Sequence, residues 1–151
     1  MNYTKLSKKE FETRLYKQFG KYLELDKYGV ETKPGWYNLI WKLTEDITDH
    51  LDDTDGVLHI VQIKQKFGGL RYYIRGGDDI VYDLINIAET HSFNICEICG
   101  ENGQLNNEHL FVQTLCPKHV KERDNRLTKK QKEILRKKIK AGNYIPPSIS
   151  P

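Results

Sequence analysis

The stretch "KQKFGGLRYY", Lys64–Tyr73, decides how the middle of the chain is read. Before it, "GVLHIVQI" is rich in β-branched residues; after Gly69, "LRYYI" continues the alternation. The two runs predict a β-hairpin closed by a primed two-residue turn at Gly68-Gly69. That turn would set Phe67 opposite Leu70, Lys66 opposite Arg71, Gln65 opposite Tyr72 and Lys64 opposite Tyr73. Side chains alternate along a strand. One face then carries Val57, His59, Val61, Ile63, Phe67, Leu70, Tyr72 and Ile74, and reads as core. The other carries Leu58 and Ile60 low down, then Lys64, Lys66, Arg71, Tyr73 and Arg75 toward the tip.

Like charges placed opposite one another on a sheet cost about 0.2–1 kcal/mol. An anion lying between them reverses that sign. Glycine also lets backbone amides approach phosphate oxygens closely. Lys64, Lys66 and Arg71, with the amides of Gly68 and Gly69, are therefore candidate phosphate ligands. Trp36, Tyr37 and Tyr73 are candidates to stack on a base. A plain turn with solvated charges, and a core role for Trp36, is the competing reading.

Outward from the hairpin the chain reads as helical. Ser7 and Glu10 form a capping box, Leu6 and Phe11 a hydrophobic staple, and Phe11, Leu15 and Phe19 one stripe that Gly20 ends. Residues 21–34 read as irregular. Trp36, Ile40, Leu43, Ile47 and Leu51 recur at helical spacing. Asp78 or Asp79 can cap a third helix from Ile80 to about His91. "LTKKQKEILRKKIKAG" is a basic amphipathic helix with Leu127, Ile134, Leu135 and Ile139 on its apolar side. The order of helices, hairpin, helix, cysteines and helix predicts an α+β fold, with helices packed on a small antiparallel sheet. Its expected units are a body over 1–92, a metal module over 93–126 packed on that body, and a basic helix and tail over 127–151.

All three cysteines fall in one pattern: "CEIC" gives Cys96 and Cys99, and "CPKH" gives Cys116 and His119. Two short pairs joined by a loop supply the four ligands of a structural zinc site, one ion per chain, with no position left for water. Gly100 helps the backbone turn so that amides face the sulfurs, and Pro117 suggests that the second pair opens a helix, as in treble-clef-like modules. His109 could replace His119, but has no partner at short spacing.

Charge is divided unevenly along the chain. Residues 117–151 carry 11 Lys+Arg against 3 Asp+Glu, whereas residues 1–116 carry 13 against 18. The body is thus mildly acidic and the tail basic. Six acids lie between Glu45 and Asp55 without calcium-loop spacing, and read as a solvated helix face opposite in charge to the basic tail. No apolar run approaches the ~20 residues of a membrane span, and the N-terminus does not read as a signal peptide. A cytoplasmic protein with reduced thiols and no membrane partner is expected. Nucleotide loops, serine elbows and paired catalytic carboxylates are not found, so a binding protein is expected rather than an enzyme.

Together "GWYNLI", "KQKFGGLRYY", "AETHS", "CEICG" and "TLCPKH" resemble a group of small bacterial and phage proteins. The group shares GWY-x-LI, a KFGGLR-aromatic hairpin, CE-x-CG and TLC-x-x-H. The resemblance runs from Gly35 to His119 and implies the zinc site; the group has no established activity. By analogy with phage proteins that disable host defence, the first functional expectation is capture of a small phosphorylated ligand, such as a nucleotide immune signal. The alternatives are nucleic-acid binding through the zinc module and basic tail, and protein–protein inhibition of a host factor.

Overall fold

The computed structural model describes residues 1–107, 112–126 and 129–142. The fold is α+β. Helix α1 spans Lys8–Phe19 and α2 spans Tyr37–Thr54; the strands β2 (Leu58–Lys66) and β3 (Gly69–Gly76) form the hairpin, and α3 (Asp79–Ser92) follows. The body's sheet is mixed rather than purely antiparallel. The region expected to be irregular contributes β1, Val30–Glu31, which lies parallel to β2 in the order β1-β2-β3. The Glu12 carboxylate of α1 accepts the Val30 N–H at 2.9 Å. That contact comes from a residue far along the chain, so no local pattern announces so short a strand.

The capping box forms as its residues require: Glu10 N–H donates to Ser7 Oγ, and Ser7 N–H to the Glu10 carboxylate. Gly20 ends α1 at φ −53°, in right-handed rather than left-handed geometry, and the chain runs on into a 3-10 turn. Phe11, Leu15 and Phe19 are buried, as are Ile40, Leu43, Ile47 and Leu51 of α2. They meet Leu58, Ile60, Ile63, Leu70 and Tyr72 of the sheet and Val81, Ile85 and Ala88 of α3 in one continuous core. Phe11 stacks on Tyr37 at 4.0 Å between ring centroids.

The hairpin register differs from the expected one. The turn residues are Phe67 and Gly68, at φ +52° and +82°, so Lys66 pairs with Gly69, Gln65 with Leu70, Lys64 with Arg71 and Ile63 with Tyr72. Lower down, Val61 is an extra residue in β2, because Ile60 pairs with Ile74 while Gln62 pairs with Tyr73. The bulge reverses which residues face inward. Leu58 and Ile60 are core, not outer-face residues; Val57 and Phe67 are exposed, not core. The bulge lets both apolar halves of β2 point the same way, which strict alternation forbids.

The outer edge of β3 is closed by α3. Ser92 Oγ accepts the Leu70 N–H at 2.9 Å and the Glu89 carboxylate accepts the Tyr72 N–H at 3.0 Å. These two edge N–H groups, which would otherwise template pairing with another strand, are satisfied within the chain. Asp78 caps α3 by accepting the Val81 N–H. Beyond α3 come a small hairpin, β4 (Gln104–Asn106) and β5 (Gln113–Leu115), then α4 (Pro117–Arg126) and α5 (Lys129–Lys140). Leu127, the Leu135 side chain, His109 and the "IPPSISP" tail lie outside the described residues. Among the described residues no helix is long and apolar enough to cross a membrane.

Candidate functional site

Cys96 and Cys99 sit on a tight turn between Ile95 and Asn102, which bridge to one another. Gly100 N–H closes that turn on Cys96 O at 2.9 Å, and Gly100 takes φ +84°, a conformation that favours glycine. Cys116 precedes α4, and the His119 and Val120 N–H groups both donate to its carbonyl. The turn, the β4–β5 hairpin and the start of α4 follow in the order expected of a treble-clef-like module.

The ligand atoms of Cys96, Cys99, Cys116 and His119 all lie within 4.8 Å of one another, so the group can hold a metal ion. Cys99 Sγ is 3.8 Å from Cys116 Sγ, and His119 Nδ1 is 3.6 Å from Cys96 Sγ and 3.2 Å from Cys116 Sγ. The other ring nitrogen of His119 is 3.6 Å from the Glu122 carboxylate, placing an acid behind the ligand as in many metal-bound histidines. Burial pushes the Cys99 thiol up to about 11. Burial also acts on Cys116, but the His119 N–H, the His119 ring and the neighbouring thiols outweigh it and draw that thiol down to about 7. Cys116 is therefore readier than Cys99 to meet a cation as thiolate.

The module is built into the body. Thr114 Oγ1 donates to Gly68 O at 2.7 Å, Gly35 N–H to Glu97 O at 2.7 Å, and Trp36 Nε1 to Ile95 O at 2.9 Å. Glu97, buried beside the metal ligands, accepts the Lys33 N–H; burial raises its carboxyl above the ordinary range. The segments "GWYNLI", "KFGGLR", "AETHS", "CEIC" and "TLC" thus meet at one junction, joined by hydrogen bonds between side chains and main chain as well as between main chains.

This junction corrects half of the expected phosphate site. Gly68 and Gly69 are buried, because the module covers the hairpin tip. A β-carbon on Gly68 would stand 2.4 Å from Leu105 Cδ1, and one on Gly69 2.4 Å from Phe93 Cζ. The glycines are needed for close packing, and their position denies a ligand their amides. Trp36 and Tyr37 are likewise 0% and 1% exposed, filling the core rather than offering a ring to a base.

Lys64, Lys66, Arg71 and Tyr73 do share the outer face of the sheet, at register positions opposite Arg71, Gly69, Lys64 and Gln62 respectively. Lys66 and Arg71 are neighbours on that face rather than an opposed pair. Arg75 joins them, but Glu24 holds it at 2.6 Å and also stands 3.2 Å from His59 Nδ1. Arg71 donates to Leu70 O and draws the Glu89 carboxyl down, against a larger rise from burial. Among the described residues, Lys64 and Lys66 have no acid within ion-pair range, although Glu31 stands beside Lys64 in the sheet. Instead Lys64 Nζ lies 5.9 Å from the Tyr73 ring centre and Lys66 Nζ 5.6 Å from that of Phe67.

Phe67 is the residue sequence reasoning missed. Strict alternation places it in the core, yet it is 57% exposed at the tip of the hairpin. Its left-handed φ of +52° is rare for a bulky side chain and favours Gly or Asn.

No family model, curated protein or solved structure matches the chain, so the site stands on its own geometry.

Proposed function

We propose that the protein is a zinc-stabilised binding protein that takes single-stranded nucleic acid on the outer face of its hairpin. The observation that carries this reading is Phe67. A bulky aromatic in left-handed backbone costs of the order of 1–2 kcal/mol. More than half of the side chain stays exposed, and it stands beside Lys66, with the paired Lys64 and Arg71 on the adjoining sheet face. Such costs collect where a ligand is met. Exposed rings with interleaved cations on a sheet suit bases that stack and phosphates that track past. The open face and buried glycines favour an extended strand over an enclosed small phosphate.

Zinc is the ion these donors fit. Zn–S near 2.3 Å and Zn–N near 2.0–2.1 Å in a tetrahedron imply S···S of about 3.8 Å and S···N of about 3.6 Å. The Cys99–Cys116 and Cys96–His119 distances, 3.8 and 3.6 Å, agree, and the Cys116–His119 distance, 3.2 Å, is a few tenths of an ångström shorter. Elemental analysis should find one zinc per chain, and Cys99→Ser should lose it.

The test of binding is fluorescence anisotropy with labelled oligothymidine across a salt series. Stacking contributes about 1–3 kcal/mol per base, so Phe67→Asn should weaken binding roughly 5–150-fold while leaving melting temperature unchanged or higher. Lys64→Ala and Lys66→Ala should each lower the salt slope by about 0.7. A mononucleotide that binds as tightly as the oligomer would assign the face to a small phosphorylated ligand. Undiminished oligomer binding by Phe67→Asn would refute the assignment to this face.

A further inference from the structure

We infer that α5 of one copy docks on the outer flank of α2 and α3 of a second copy, forming a symmetric dimer. The donor surface is chemically unusual. Over Lys129–Lys140 it carries seven Lys+Arg and one acid, and Ile134 and Ile139 are 42% and 52% exposed. A lone helix of this length is marginal in water, and its crowded cations repel one another. It needs a partner that is both apolar and acidic.

One such surface stands open on the same protein. On α3, Ile80, Leu84 and Ile87 recur at i, i+4 and i+7, which places them on one face. Ile80 and Ile87 are 54% and 56% exposed, while Leu84 packs partly on the core. His50 of α2 marks where the two helices adjoin, its Nε2 2.7 Å from the Asp78 carboxylate. Helical spacing puts Leu39, Asp46 and Asp53 on the His50 side of α2. Leu39 is partly buried against the core, and Asp46 is bridged by Lys42 at 2.9 Å. Asp53 of α2 and Asp79 and Asp83 of α3 are exposed. The flank is thus an apolar strip with an acidic border, the complement of α5 in charge and character.

The second copy, rather than the same chain, is the occupant because each chain leaves both surfaces exposed. At 1.5 Å rise per residue, α5 is about 18 Å long, enough to cover the roughly 10 Å between Ile80 and Ile87. Two copies related by a two-fold axis can each donate α5 and receive it, so the contact closes. The surface is separate from the hairpin face and does not depend on nucleic-acid binding.

Light scattering and sedimentation equilibrium on the full-length protein test this. At low salt and micromolar concentration the protein should be dimeric. At ~1 M salt, where screening acts within about 3 Å, its dissociation constant should rise at least tenfold. The double variants Ile80→Glu/Ile87→Glu and Ile134→Glu/Ile139→Glu should each be monomeric with unchanged circular dichroism, because all four positions are exposed. Mixed together, they retain one intact α5 and one intact α2–α3 flank between them, and should form a weaker heterodimer. Wild-type protein that is monomeric throughout, including one whose α5 folds back on its own α3, would overturn the inference. So would a dimer that survives both double variants, or a monomer whose oligonucleotide binding is lost with Ile134→Glu/Ile139→Glu.

Discussion

At Gly69 a single methyl group decides between a docked and an undocked hairpin. The added carbon would lie 2.4 Å from the rim of Phe93, itself held at the end of α3. Gly69→Ala should cost about 1–3 kcal/mol, the usual range for overpacking a filled interior. Gly20 is the control: at φ −53° and with nothing within 4 Å of the added carbon, Gly20→Ala should be neutral or stabilise by about 0.4–1 kcal/mol. Urea melts of the two variants check both signs, and equal losses would contradict the packing account. The residue scale is also where the sequence misleads. A Gly-Gly pair after a strand is a turn by every local rule, yet the turn is Phe67-Gly68. The register was chosen by Phe93, Ser92 and Thr114, which contact or bond to Gly69, Leu70 and Gly68 from elsewhere in the chain. No local window contains that information.

Elements were legible in proportion to how far their own pattern specifies them. α1 carries its capping box and stripe locally and α2 carries its stripe, and their buried faces are those the periodicity marks. The Cys96, Cys99, Cys116 and His119 cluster was legible because the chemistry of a metal site fixes such spacing. β1 and the Val61 bulge were not, since one depends on Glu12 and the other on reconciling two apolar half-strands. The junction of β3 with α3 yields a prediction in pH. Burial of Glu89 raises its carboxyl above the ordinary value of 4.5, while the Tyr72 N–H and Arg71 pull the other way without cancelling it. A raised folded-state value means that this group's contribution to stability is full below about 4.5 and fades as pH climbs through the folded-state value. Glu89→Gln keeps an acceptor for Tyr72 and removes the titration. The variant should therefore gain on the wild type as pH rises from 4 to 7, in paired urea melts. A gap that shrinks over that range would show that Arg71, not burial, governs the site.

Across the whole molecule, stability is divided unequally between the body and the metal module. Among the described residues, the body's core contains twenty buried apolar residues, whereas the module's contains Cys96, Leu115 and Cys116. On the proposed reading, an ion held by Cys96, Cys99, Cys116 and His119 would add the stability that ordering the module requires. Structural zinc contributes about 10–16 kcal/mol in isolated finger peptides, as large as the ~5–15 kcal/mol that holds a typical domain together. Chelation should therefore unfold residues 96–119. It should also release the bonds from Thr114 to Gly68, Ile95 to Trp36 and Glu97 to Gly35 and Lys33. At about 0.5–1.5 kcal/mol each, those losses weaken the body without exceeding what its core provides. The expected result is a melting temperature lowered but still measurable, with most of the helical circular dichroism retained. Hydrogen exchange should speed up at the Leu70 and Tyr72 amides of the hairpin, while α1 and α2 stay protected. Re-addition of zinc should restore both. Complete loss of α1 and α2 protection on chelation would show instead that the ion holds the entire chain, and that the body cannot stand without the module packed on its hairpin tip.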